Sequence, residues 1–128
     1  MNDILVEDDA VAPGRLVLLR HGQTAWSVSG QHTGRTDLPL TETGRKQAIR
    51  AGERLRRMFP EGFDDVWTSP LLRARQTAAL AGFPEGVTLR GIVEWDYGRA
   101  EGRTRDQLSE ALRRSWNLWR DGTQGLPT

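Results

Sequence analysis

The 128-residue sequence predicts an α/β domain built on a largely parallel sheet. Three observations point there. Short apolar runs alternate with longer stretches in which apolar residues recur at helical spacing. Those longer stretches open and close on capping residues. A single loop rich in Gly, Ser, Thr and Pro follows the first apolar run, and long loops in compact domains are usually functional.

Residues 1–14 read as a flexible tail closed off by Pro13 and Gly14. The run "RLVLL" then has the length and apolar continuity of a strand covered on both faces, as in a parallel sheet. Residues 27–40 form the long loop. Thr41 is placed to cap a first long helix, with Ala48, Ala51, Gly52, Leu55, Met58 and Phe59 as its inner stripe and Pro60 and Gly62 beyond its end. "DDVWTS" predicts a second short strand. The next helix has Ser69 as its expected N-cap, Pro70 at its first position and Gly82 at its exit. A third strand is expected over residues 87–89. The last helix is expected to begin at Thr104 with Gln107 completing a capping box, to bury Leu108, Ala111, Leu112, Ser115 and Trp119, and to stop at Gly122.

Composition narrows the function classes. The length suits one domain with a core and is short for two. Lys+Arg total 18 against 17 Asp+Glu, so no nucleic-acid arm or polybasic membrane anchor is indicated. With no cysteine, disulfides, thiolate catalysis and cysteine zinc sites are excluded. No apolar run reaches membrane-spanning length, and the acidic leader lacks the features of a signal peptide, which makes the cytoplasm the expected location.

Ligands of open α/β sheets bind outside the carboxyl ends of the strands. The first predicted strand ends on Arg20, His21 and Gly22. The second ends at Ser69, which puts Arg73 one turn into the helix leaving the same edge, and Glu94 follows the third strand. Together they form a phosphoryl-transfer set. Two arginines neutralise phosphate oxygens, a neutral imidazole attacks phosphorus, and a carboxylic acid protonates the leaving oxygen. Gly22 lets the backbone approach the phosphate closely. Each residue also has an ordinary alternative. Arg-His-Gly can be surface chemistry after a strand, Arg73 a solvated helix arginine, Glu94 a partner of any arginine, and His32 a turn residue. His21, His32 and Asp37 lack the spacing of a metal site.

Four ordered blocks, "LVLLRHGQTAWS", "GQHTGRTDLPLTETGRKQA", "TSPLLRARQTA" and "EWDYGRAEGRT", resemble the histidine phosphatase superfamily, which includes the cofactor-dependent phosphoglycerate mutases and many acid phosphatases. The resemblance implies a three-layer α/β/α sandwich of the phosphoglycerate mutase type. It makes His21 the phosphohistidine, Arg20 and Arg73 the phosphate-binding arginines and Glu94 the proton donor. It sets Gly22, Thr24, Ser27, Thr33, Gly34 and Tyr97 as substrate-binding positions, and it calls for no metal and no cofactor. Ser27 departs from the asparagine common at its position. Mutases of the family typically have Glu-Arg-His-Tyr-Gly where this chain has Glu94-Trp95-Asp96-Tyr97-Gly98, and they carry a later lysine, whereas Lys46 is the only lysine here.

The implied activity is therefore metal-independent hydrolysis of a small phosphomonoester, a sugar phosphate among the candidates, ahead of mutase activity. Neither nucleic acid nor membrane is an expected partner, and homo-oligomerisation is left open. The family also has a second histidine at the end of a later strand, which this chain does not contain. Residues 15–128 are thus expected to form the N-terminal part of one histidine phosphatase domain, with the last core strands and helix missing and unpaired backbone left at the sheet edge. The alternative is a truncated, catalytically incomplete remnant that binds phosphate or another protein.

Overall fold

Thr41 caps the longest helix as its residue type predicts: its hydroxyl accepts the Gly44 N–H, and the helix α2 runs Glu42–Met58. The computed structural model describes residues 14–127, so all but the last residue of the expected tail lies outside the described residues. Ahead of α2 sits a short helix, α1 (Ala25–Ser29), and after it come β1 (Trp67–Thr68), α3 (Leu72–Leu80) and β2 (Val87–Thr88). Two single 3₁₀ turns, Arg90–Ile92 and Gly98–Ala100, lead into α4 (Arg105–Leu112) and α5 (Leu118–Asp121). β1 and β2 pair in parallel, Trp67 opposite Val87. This mixed helix-and-strand arrangement is the expected class.

α2 buries a stripe of small residues, Gly44, Ala48 and Gly52. Small side chains four residues apart let other backbone come close. A Cβ on Gly52 would collide with the Ala81 carbonyl at the end of α3. Met58, expected on the inner stripe, is instead 57% exposed. The close contact with the end of α3 is made by Gly52, and the helix has turned Met58 outward by its last residue.

Three further expectations are corrected. "RLVLL" forms no strand: residues 14–20 are irregular, and Leu16 and Leu18 are exposed. A strand exists only as part of a hydrogen-bonded ladder, and no described residue supplies residues 15–19 with a backbone partner. Ser69 does not cap α3. The N-cap is Leu71, without a side-chain bond, and Asp37 Oδ1 accepts the Leu72 N–H at 2.6 Å from 35 residues away. Gly82 does take the exit position, with φ +103°.

The last helix starts as predicted: the Thr104–Gln107 capping box is present in both directions. It does not continue to Gly122. Arg113 adopts the left-handed conformation (φ 55°), and Asn117 caps a new short helix through its Oδ1. The break changes the register. Trp116 becomes buried, at 2% exposure, while Trp119 is 80% exposed and Ser115 is also outside. Trp116 packs with Ala100, Leu108 and Leu126 into a small core that Tyr97, Leu112 and Leu118 border.

Candidate active site

His21 lies in a turn held from both sides by helices. The Gly22 N–H donates to Thr77 Oγ1 of α3 at 3.1 Å, and that hydroxyl donates to the Arg73 carbonyl at 2.7 Å. From the α2 side, Gln47 Oε1 accepts the Gln23 N–H at 2.9 Å. The Thr41 hydroxyl donates to Gln23 Oε1 at 2.8 Å. Gly22 crosses Gly44 so closely that a Cβ on either would collide with backbone of the other segment. Gly22 is thus required for helix contact here.

The imidazole is half-buried. Its Nδ1 lies 2.8 Å from the Gly22 carbonyl, which can only accept, so Nδ1 carries the proton and Nε2 keeps its lone pair. Burial is the main influence that lowers the His21 pKa below its ordinary 6.5. The Gly22 carbonyl opposes it, the charges of Arg73 and Arg20 lower it further, and Glu94 weakly raises it. An open cleft of about 240 Å³ lies over the ring, lined by Arg20, His21, Gly22, Gln23, Ser27 and Gln47. A larger cleft of about 390 Å³ lies elsewhere, along residues 15–19 and 65–69, and its walls are mainly apolar.

Arg73 is 2% exposed. Its guanidinium donates to the carbonyls of Thr36 at 2.9 Å, Gly34 at 2.8 Å and, more weakly, Thr33 at 3.4 Å. No described carboxylate forms an ion pair with it. Its charge acts on His21, while the planar fork fastens the loop over residues 33–36. Glu101 grips the same loop from the other side: its carboxylate accepts the N–H groups of Gly34 and Thr36 at 2.9–3.0 Å. Gly34 is buried, and a Cβ there would collide with the Trp95 carbonyl.

The remaining expected residues divide. Thr24, at 1% exposure, uses its hydroxyl to cap α1, and Ser27 bonds back to the Thr24 N–H in a capping box. Ser27 nonetheless lines the cleft. The Thr33 hydroxyl donates to the Gln31 carbonyl at 3.2 Å. Glu94 is exposed, its Oε1 accepts the adjacent Trp95 N–H at 2.9 Å, and it does not line the His21 cleft. Burial, followed by Glu94 and Glu101, raises the Tyr97 pKa, and Tyr97 packs 5.3 Å from the His32 ring. His32 donates from Nδ1 to the Arg103 carbonyl at 2.7 Å and meets Trp116 edge-on, so it is a structural histidine.

Sequence reasoning missed Gln23, Gln47, Thr77 and Glu101. Only Thr77, four residues after Arg73 on one helix face, carried a legible signal.

Comparison with known proteins covers most of the chain. The model of the histidine phosphatase superfamily (branch 1) matches residues 16–128. A sedoheptulose 1,7-bisphosphatase of Saccharomyces cerevisiae is 41% identical over 89% of this chain and 49% of its own length. An acid phosphatase of Mycobacterium tuberculosis is 46% identical over 88% of this chain and 53% of its own. The solved structure of an open reading frame product from Mycobacterium tuberculosis superposes with a TM-score of 0.74 at 42% identity, covering 85% of this chain and 55% of that one. The chain spans about half the length of the curated relatives it matches. With Gly22 tied to α3, Gln23 tied to α2 and the matched family model starting at Leu16, the chain belongs to the histidine phosphatase superfamily.

Proposed function

We propose that this chain supplies the phosphohistidine-forming part of a phosphomonoester hydrolase for a small phosphorylated metabolite, with a sugar phosphate as the leading candidate. The observation that carries this is the 2.8 Å contact from His21 Nδ1 to the Gly22 carbonyl, which leaves Nε2 unprotonated at a cleft that Arg20 also lines. Nε2 attacks phosphorus, and the N–P bond forms as the bond from phosphorus to the ester oxygen breaks. The leaving oxygen takes a proton from the Glu94 carboxylic acid. Water then attacks phosphorus, its proton passes to the Glu94 carboxylate, the N–P bond breaks and inorganic phosphate leaves. Arg20 and Arg73 offset the charge on the equatorial oxygens. No step draws on a metal or cofactor.

Gly22, Ser27, Thr33, Gly34 and Tyr97 are assigned to the substrate rim, and Thr24 to holding α1 beside it. The yeast and mycobacterial relatives, a sugar bisphosphatase and an acid phosphatase, support a phosphatase, and the sugar bisphosphatase supports the sugar phosphate. Residues 15–128 are read as the N-terminal part of one domain that works in the cytoplasm, alone or as a homo-oligomer. Mutase activity ranks below hydrolysis despite mutase relatives at 37% identity, because Trp95 and Asp96 supply no cation for a second anionic group.

One observation favours a second reading, phosphate binding without turnover. Glu94 bonds to its own neighbour's N–H, outside the His21 cleft, and Arg73 has its donors on loop carbonyls. Hydrolysis of an aryl phosphate beside a His21→Ala control separates the two. Hydrolysis predicts loss on the order of 10⁶-fold in the control, the scale for removing a covalent nucleophile. A folded chain that binds inorganic phosphate and releases no phenol selects the second reading.

A further inference from the structure

Six residues line the open cleft of about 240 Å³ over the His21 ring, and their hydrogen bonds show which donors remain for a ligand. The Gly22 N–H is committed to Thr77 Oγ1 at 3.1 Å, and the Gln23 N–H to Gln47 Oε1 at 2.9 Å. The Ser27 hydroxyl donates to the Thr24 carbonyl at 3.0 Å, and the Ser27 N–H to Thr24 Oγ1 at 3.2 Å. His21 Nδ1 is taken by the Gly22 carbonyl at 2.8 Å. Among the lining side chains this leaves the Arg20 guanidinium and the amides of Gln23 and Gln47. Arg73 adds charge but lies outside the lining, and its guanidinium bonds the carbonyls of Thr33, Gly34 and Thr36.

Of the two amides, Gln47 has the fixed orientation. Its partner is a backbone N–H, which can only donate, so the atom facing Gln23 must be Oε1. The amide nitrogen takes the other side of the group, and no described residue accepts from it. Gln23 is not fixed in this way, because its partner is the Thr41 hydroxyl, which can donate or accept. Gln47 also rises from a rigid element. It sits in the second turn of α2, whose start is capped by Thr41 and whose Gly44 meets Gly22 and Gln23 at backbone contact. Arg20 and Gln47 thus both present donors at a cleft where His21 Nε2 carries the lone pair. That combination suits a group whose peripheral oxygens only accept, as those of a phosphoryl dianion do.

We propose that Gln47 is a phosphate-binding residue of this site, donating from Nε2 to a phosphoryl oxygen that Arg20 holds beside His21. One amide then serves two ends. Its Oε1 fixes the turn that carries the nucleophile, and its Nε2 meets the ligand, so nucleophile and phosphate are registered against the same helix. This inference rests on reading the His21 cleft as a phosphate site, and it is independent of turnover.

The test is NMR on the isotopically labelled 128-residue chain titrated with inorganic phosphate. The Gln47 side-chain N–H signals, assigned by their loss in Gln47→Ala, should shift along the same saturation curve as the His21 ring. Gln47→Ala should weaken phosphate binding about tenfold, the scale of one hydrogen bond to a charged group. Gln47→Glu separates binding from support. Its carboxylate can still accept the Gln23 N–H, so amide exchange at Gln23 should match that of the unsubstituted chain. Affinity should nonetheless fall at least as far as in the alanine variant, even at high ionic strength, where the added charge is screened. Unchanged affinity in Gln47→Glu makes the residue a support alone and overturns the proposal. Phosphate that moves the His21 ring but not the Gln47 side chain also overturns it, and leaves the reading of the cleft standing. Phosphate that moves neither overturns both.

Discussion

The scaffold around His21 and the apolar cleft beside β1 are built from neighbouring stretches of one chain, yet they differ in how completely they are bonded. Around His21, backbone groups find side-chain partners: Gly22 on Thr77, Gln23 on Gln47, and Gly34 and Thr36 on Glu101. No buried side-chain polar atom among the described residues lacks a partner. Along residues 15–19 the main chain has no such partners and the leucines face outward. Loops and turns can be satisfied by side chains already at hand, whereas a β-strand can be completed only by another strand. Among the described residues, the site scaffold is therefore bonded on all sides, whereas the outer edge of β1 and residues 15–19 are not.

The comparison can be broken by mutation, and the largest effect belongs to Arg73. Replacing it with Met leaves the carbonyls of Gly34 and Thr36 buried without donors, at about 1–3 kcal/mol each. Urea denaturation should show that loss, accompanied by rapid proteolysis within residues 33–36. An unchanged midpoint would mean the loop is held by Glu101 alone.

Gly22→Ala comes next. Overpacking against Gly44 should cost about 1–3 kcal/mol, read from the same unfolding curves.

A smaller effect concerns pH. The folded pKa of His21 lies below its ordinary 6.5, so near neutrality both folded and unfolded states hold it uncharged. As pH falls below about 6.5 the unfolded state takes up the proton first, and stability declines until the folded pKa is passed. An NMR titration of the His21 ring should show a midpoint under 6.5, and Arg20→Ala should raise it by removing a cation. A midpoint above 6.5 would contradict the burial that lowers it.

The smallest effect should come from the apolar cleft. Leu18→Ser, at a side chain 84% exposed, should change stability by less than about 0.5 kcal/mol. A large loss would show that this cleft is already closed in solution.

How much of this was legible follows from the distance between interacting groups. Thr41 and the Thr104–Gln107 box were readable because an N-cap bond spans three residues, and any chain with those spacings can make it. Strand order predicted that Arg20, His21 and Arg73 share one edge; Arg20 and His21 line one cleft, whereas Arg73 is buried outside its lining and influences His21 only through its charge. What the Arg73 guanidinium holds was not readable, because the carbonyls it binds lie 37–40 residues away in a loop without regular structure. The cap on α3 failed for the same reason, since Asp37 reaches Leu72 across 35 residues. At α4 a continuous helical pattern hid a break. Asn117 was the signal for a new helix start, and reading it would have moved the buried tryptophan from Trp119 to Trp116.

The sequence by itself determined the starts of α2 and α4, the alternation of elements, the parallel pairing of β1 with β2 and the family. Each depends on local spacing or on residue identity in short blocks. Only the tertiary structure decided which tautomer His21 adopts, what Arg73 and Glu101 fasten, where Glu94 points and whether "RLVLL" is a strand. Those outcomes depend on which distant backbone groups lie within hydrogen-bonding reach, and a strand without a partner within reach remains only an apolar run of residues.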